Sequence, residues 1–379
     1  MEQLPIEGFD HVELYVGNAK QAAYVYEHAY GFEPVAYAGP ETDVEDRASY
    51  VMEQGDIRIV LTAPMTPDTT IADHVALHTD GVRDVALAAD DVEDTFQTAL
   101  DRARDYEDQL TQGEIDDGVA VRKPETLEDE HGTVEIATIA TFGDTVHTFV
   151  DRSDYDGVFL PGYEPYDDAD GAGDVGLGTI DHTVGNLPEG GLEPWASFYE
   201  DVFGFERFVG FDEDDISTDY TALRSVVMAN DDLSVKIPLN EPAEGLKKSQ
   251  IQEYVDFYPG PGVQHLAITT DDILTTIDQM RGRGVDFLDA PETYYEDLPD
   301  RIPVEDIDEK LEDLAELGIL VDQDEEGYLL QLFTNPIQDR PTMFFEIIQR
   351  KGAQGFGKGN FKALFKAIEQ QQEERGTLE

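Results

Sequence analysis

The chain has 379 residues, with 84 Asp+Glu against 25 Lys+Arg, a formal charge of −59, and no cysteine. The missing thiols exclude disulfides, zinc fingers, iron–sulfur clusters and cysteine nucleophiles, and the charge argues against nucleic acid or an anionic membrane as partner. No apolar run of about 18 residues is present to span a bilayer, and the first twenty residues lack a basic segment followed by an apolar one, so the expected address is the cytoplasm.

At roughly 100–200 residues per domain, the length predicts two domains. The 40% of hydrophobic residues suffices for real cores despite the charge. So much like charge repels itself at low ionic strength, whereas molar salt shortens the Debye length to about 3 Å. The composition therefore predicts a salt-loving, halophilic cytoplasm.

An internal repeat organises the chain. Phe9–Val35 reads FDHVELYVGNAKQAAYVYEHAYGFEPV, and Ile180–Phe208 reads IDHTVGNLPEGGLEPWASFYEDVFGFERF. The shared Asp-His positions lie 171 residues apart and the shared Gly-Phe-Glu positions 173 apart. A period that long marks two homologous domains rather than a solenoid. Each copy predicts a strand and then a helix ended by Gly31 or Gly204 in the left-handed conformation. Alternating strands follow, at Arg58–Pro64 and Leu233–Asn240. A second strand–helix unit opens at Val82 in the first half and at Val263 in the second, each with an Asp-Asp pair suited to a helix N-terminus. Residues 154–178, rich in Gly, Asp, Tyr and Pro, are predicted to link domains 1–153 and 179–379. Near the end, Phe361, Leu364, Phe365 and Ile368 form one apolar helix face.

The second half has only two histidines, His182 and His265, each on a predicted strand. Glu346 interrupts the apolar strand PTMFFEIIQR, where an unpaired carboxylate is costly. Two His and one carboxylate from three strands form the composition of a facial triad for Fe(II). From spacing alone, two satisfied core histidines and a carboxylate paired with Arg340 or Arg350 come ahead of the metal. Strand-borne ligands have no tight spacing to decide between these.

Four stretches resemble the 4-hydroxyphenylpyruvate dioxygenase family of the vicinal oxygen chelate superfamily: KSQIQEY from Lys248, GPGVQHLAITTDDI from Gly260, the long segment Glu316–Arg350, and GFGKGNFKALFKAIE from Gly355. The likeness is strong from about Ser225 to Glu369 and looser before Asp181. It implies an α+β fold of two glyoxalase/dihydroxybiphenyl-dioxygenase-like domains, each built of paired βαβββ units, with a C-terminal lid helix from Asn360. It implies a degenerate, structural first domain and a catalytic second one. His182, His265 and Glu346 match the family's metal ligands, for one Fe(II) per chain. Gln250, Gln264, Gln331, Asn240 and Ser225 match polar residues of the pocket, and Phe333, Phe344, Asn360 and Phe361 match its substrate-binding wall. The implied substrates are 4-hydroxyphenylpyruvate and O₂, converted to homogentisate and CO₂ in tyrosine and phenylalanine catabolism by a homo-oligomer, dimer or tetramer. A 4-hydroxymandelate synthase is the alternative, disfavoured by Phe344 and Asn240, because that branch tends to carry aliphatic residues there. A ring-cleaving extradiol dioxygenase and a non-catalytic binding protein on the same fold are further alternatives. In the first domain, His11 falls at the His182 position, Asp84 at the His265 position, and Asp151 near the Glu346 position; the resemblance implies no metal there.

Overall fold

The structure is a computed structural model that describes residues 2–106, 119–167, 171–211, 221–243, 245–290 and 293–378. Two large sheets dominate. The first runs, in spatial order, Ala120–Asp129, Gly132–Ala140, Val146–Asp151, Gly81–Ala89, Ile6–Tyr15, Ile57–Pro64, Arg47–Gln54, Glu33–Ala38 and Glu164–Pro165. The second runs Leu320–Gln323, Tyr328–Phe333, Phe344–Lys351, Gly262–Thr270, Leu177–Asn186, Lys236–Pro242, Leu223–Ala229 and Glu206–Phe211.

Read in this direction, the first eight positions of the two sheets correspond one to one. In each sheet the opening strands of the two units pair antiparallel at the centre, Ile6–Tyr15 with Gly81–Ala89 and Leu177–Asn186 with Gly262–Thr270. Each domain is thus two βαβββ units joined edge to edge, the fold expected from the repeat.

Local chemistry sets the helix ends. Asn18, Asp91 and Asp272 are N-caps whose side chains accept from backbone N–H groups three residues on. The last two each come from one of the Asp-Asp pairs. Gly31 and Gly204 end their helices at φ of 75° and 73°, a region that penalises any residue with a Cβ. The strand expected from Leu233 begins at Lys236. Leu233 itself lies at a φ of 61°, a turn conformation that no strand tolerates.

The segment between the domains is packed rather than loose. Glu164–Pro165 extends the first sheet by pairing with Glu33–Ala38, and Phe159 is buried against His11. Residues 168–170 of this segment lie outside the described residues. The C-terminal helix is Lys358–Arg375, with Leu364, Phe365 and Ile368 buried. It is fastened at both ends. The Gly359 N–H donates to Asp322 at 2.9 Å, and Arg375 Nη2 donates to buried Glu253 at 2.8 Å.

Candidate metal centre

Register brings the three candidate ligands together. On the parallel pair Gly262–Thr270 and Phe344–Lys351, His265 opposes Phe344 and Ala267 opposes Glu346. His182 opposes Ala267 on the other side. Directly opposed residues share a face and alternate residues return to it, so His182, His265, Phe344 and Glu346 all look into the curl of the second sheet.

His182 Nε2 is 3.3 Å and His265 Nε2 3.4 Å from the same oxygen, Glu346 Oε2. Ligand atoms about 2.1 Å from one metal ion lie about 3.0 Å apart at right angles and about 3.4 Å apart at the tetrahedral angle. All three residues are buried.

The other ring nitrogens settle which atoms face inward. His182 Nδ1 lies 2.6 Å from Asp181 Oδ1, and His265 Nδ1 lies 3.0 Å from Gln264 Oε1. Each partner oxygen is an acceptor, so each Nδ1 carries the hydrogen. In the neutral rings both Nε2 atoms then present lone pairs to a carboxylate oxygen. Three acceptors converging on one buried point repel one another unless a cation sits among them. Burial pushes the Glu346 carboxyl up, but with protons on the two Nε2 atoms, in the place a metal ion would take, the imidazoles outweigh burial and bring it down to about 2. Burial pushes His265 below its ordinary value; on His182 the two carboxylates overcome burial and raise it. The donor set and its orientation fit one divalent metal ion.

Asp181 is itself held. Arg350 donates to it through Nε at 2.7 Å and Nη2 at 2.8 Å, and Lys236 through Nζ at 3.0 Å. Burial alone would raise its carboxyl; Arg350 and His182 outweigh that and keep it well below the usual carboxylate range. Arg350 therefore serves Asp181, not Glu346 as the sequence allowed, and Arg340 donates to the carbonyls of Leu77 and Phe257.

The pocket candidates fall into groups. Phe344 stacks on His265 with centroids 4.8 Å apart, and Phe333 meets the same ring edge-on at 6.0 Å. Gln250, Gln264 and Phe344 line one cleft under the C-terminal helix. Ser225 and Asn240 oppose each other on neighbouring strands, and Asn240 donates to Asn186 at 3.3 Å. Gln331 is buried with its Oε1 unpartnered, beside Gly357 at the helix start, where a Cβ would come within 2.5 Å of that oxygen. Asn360 accepts from Tyr294 at 2.6 Å while its Nδ2 has no partner, and Phe361 packs edge-on against Phe211 at 5.2 Å. Phe356, which no sequence feature singled out, meets His182 edge-on at 5.0 Å beneath Arg350.

In the first domain Asp84 opposes Val146 where His265 opposes Phe344. Counting along the strand puts Thr148, not Asp151, at the Glu346 position. Thr148 donates both its backbone N–H and its hydroxyl to Asp84. Two carboxylates were expected beside His11; the register supplies one, already bonded to a hydroxyl.

The fold and the triad define a member of the Glyoxalase/Bleomycin resistance protein/Dioxygenase superfamily, whose family model matches residues 8–133 and 179–332. The chain is 47% identical to 4-hydroxyphenylpyruvate dioxygenase of Dictyostelium discoideum, over 98% of this chain and all of the relative. It is 45% identical to the protein of the same name from Yarrowia lipolytica, over 98% and 93%. A solved structure of a mutant 4-hydroxymandelate synthase from Streptomyces coelicolor superposes with a TM-score of 0.83 at 33% identity, covering 97% of this chain and 100% of the other. The chain belongs to the 4-hydroxyphenylpyruvate dioxygenase family. No helix among the described residues is long and apolar enough to cross a membrane.

Proposed function

We propose that the chain converts 4-hydroxyphenylpyruvate and O₂ to homogentisate and CO₂, using one Fe(II) held by His182, His265 and Glu346. The observation that carries this reading is the convergence of two Nε2 lone pairs and a buried carboxylate on one point, each imidazole fixed from behind. Three protein ligands leave positions open for an α-keto acid and O₂. When bound, iron supplies the activation of O₂ and the anchor for the keto acid.

The chain's own residues do the rest. Asp181 and Gln264 keep the imidazole N–H groups turned away from the metal. Phe344 and Phe333 wall the cavity beside His265 and hold the phenol ring flat. Gln250, Gln264, Gln331, Asn240 and Ser225 supply polar contacts to the carboxylate and the ring hydroxyl. Asn360 and Phe361 place the start of the C-terminal helix, which excludes water as a lid. The first domain, residues 1–153, supports folding and assembly into a homo-oligomer, residues 154–178 join it to the second, and residues 179–379 carry the chemistry. The −59 charge supports a high-salt cytoplasm as the setting.

Identity favours this over benzylic hydroxylation: 47% to the Dictyostelium dioxygenase against 33% to the mandelate synthase structure. Metal-stripped protein should consume O₂ with 4-hydroxyphenylpyruvate only after Fe(II) is restored. His182→Ala, His265→Ala and Glu346→Ala should each lose both iron and O₂ uptake. Full uptake in any one variant removes that residue from the ligand set.

A further inference from the structure

A second cluster of metal-ligating side chains shares no residue with the triad. His74 and His78 lie one turn apart on the helix Thr70–His78, which puts both imidazoles on one face. Asp144 comes from the turn between Gly132–Ala140 and Val146–Asp151. One ligand atom from each residue lies within 4.8 Å of the others. Asp144 Oδ2 is 3.0 Å from His78 Nε2 and 3.6 Å from His74 Nδ1.

Both imidazoles are deeply buried, 4% and 2% exposed. Neither nitrogen of His74 has a hydrogen-bond partner, and neither does Nδ1 of His78. A neutral imidazole carries one donor and one acceptor, so His74 leaves both unsatisfied at a desolvation cost that native folds rarely bear without a ligand. Aromatic rings close the other sides: Tyr15 meets His74 edge-on at 5.3 Å, and Tyr258 stacks on His78 at 4.0 Å. The open side is Asp144, whose side chain is 38% exposed and gives an ion its way in.

We propose that His74, His78 and Asp144 form a second metal site of the zinc class, with the fourth position left to water on the open Asp144 side. Two imidazoles and a carboxylate are a borderline donor set that suits zinc or a similar late divalent ion. Arg83 lies beside the cluster, donating to the backbone carbonyl of Asp144. Its charge opposes any cation, which selects an ion bonded strongly to imidazole over magnesium or calcium held by charge and oxygen ligands. The site pins the helix Thr70–His78 to the Asp144 turn. Through the Tyr258 stack, and through Arg340 bridging the Leu77 and Phe257 carbonyls at 2.7 and 3.0 Å, it also fastens the first domain to the second.

The test is a zinc titration of metal-stripped full-length protein against a chromophoric chelator strong enough to mask surface carboxylates. Wild type should bind two equivalents, Glu346→Ala one and Asp144→Asn one. Zinc should raise the melting temperature of Glu346→Ala but not of the Glu346→Ala/Asp144→Asn double variant. The decisive quantity is the difference between wild type and Asp144→Asn, which stands whether or not the triad reading does. Equal counts in those two proteins overturn the site. His78→Gln gives a second comparison, and because Asp144 is partly exposed its isosteric replacement leaves the fold intact if a buried variant does not.

Discussion

Arg152 stands to Asp10 as Arg350 stands to Asp181. Arg152 donates to Asp10 through Nε at 2.7 Å and Nη2 at 2.6 Å, and Asp10 in turn lies 2.6 Å from His11 Nδ1. Phe159 meets His11 edge-on at 5.1 Å under Arg152, as Phe356 meets His182. Both domains therefore carry the same Arg–Asp–His–Phe support. They differ in what faces the histidine: His265 and Glu346 in one, Asp84 and Thr148 in the other. In each domain the support ties the end of one strand, Val146–Asp151 or Phe344–Lys351, to the central strand that bears the histidine.

That relationship makes Asp181 a positioning residue. Asp181→Asn keeps the shape but no longer holds His182 as a strong acceptor, and it removes the carboxylate to which Arg350 and Lys236 donate. Iron affinity should fall about 10- to 100-fold, with turnover partly restored at high iron. Equilibrium dialysis and activity against iron concentration measure this; an unchanged dissociation constant contradicts it.

Phe344 stacks on His265, and the proposed function makes it a wall of the substrate cavity. Phe344→Ile should enlarge the cavity there and let the benzylic carbon reach the oxidant. Part of the product should shift from homogentisate to 4-hydroxymandelate, with slower turnover, as read by chromatography. Homogentisate alone at the wild-type rate would make Phe344 ordinary core.

Burial raises the Asp84 carboxyl to about 6, more than His11 and Thr148 lower it. In the unfolded chain the group titrates near 3.9. The folded state thus holds the extra proton between these values, and the stability it contributes is lost as pH rises through 6. Asp84→Asn should remove that loss, a gain on the order of 1–3 kcal/mol above pH 6 that fades below pH 4. Denaturant melts of both proteins across this range decide it; a variant destabilised equally at every pH refutes the account.

The charge of −59 predicts a salt requirement. Between low and molar KCl the melting temperature should rise by at least about 5 °C as carboxylate repulsion is screened. A flat melting temperature sinks the halophilic reading.

The repeat made the two-domain plan legible, because Asp-His and Gly-Phe-Glu each mark a fixed place in the fold. The triad was legible as composition and by resemblance, since histidine is scarce in the second half and Glu346 breaks an apolar strand. What stayed hidden depends on register. Nothing in the linear sequence tells Thr148 from Asp151 as the counterpart of Glu346; strand pairing does. Asp181 as the partner of Arg350 was equally out of reach, because the two lie 169 residues apart and meet across a strand. The His74–His78 spacing was a readable signal, two imidazoles one helical turn apart, but its third member comes from a distant turn.

The product identifies the reaction. Wild-type protein, Fe(II), ascorbate and 4-hydroxyphenylpyruvate are incubated under air in molar KCl, and the products are separated and identified. Homogentisate and CO₂ should form in equal amounts, with none from Glu346→Ala. Formation of 4-hydroxymandelate alone, or no consumption of the keto acid by iron-loaded protein, would contradict the proposed reaction.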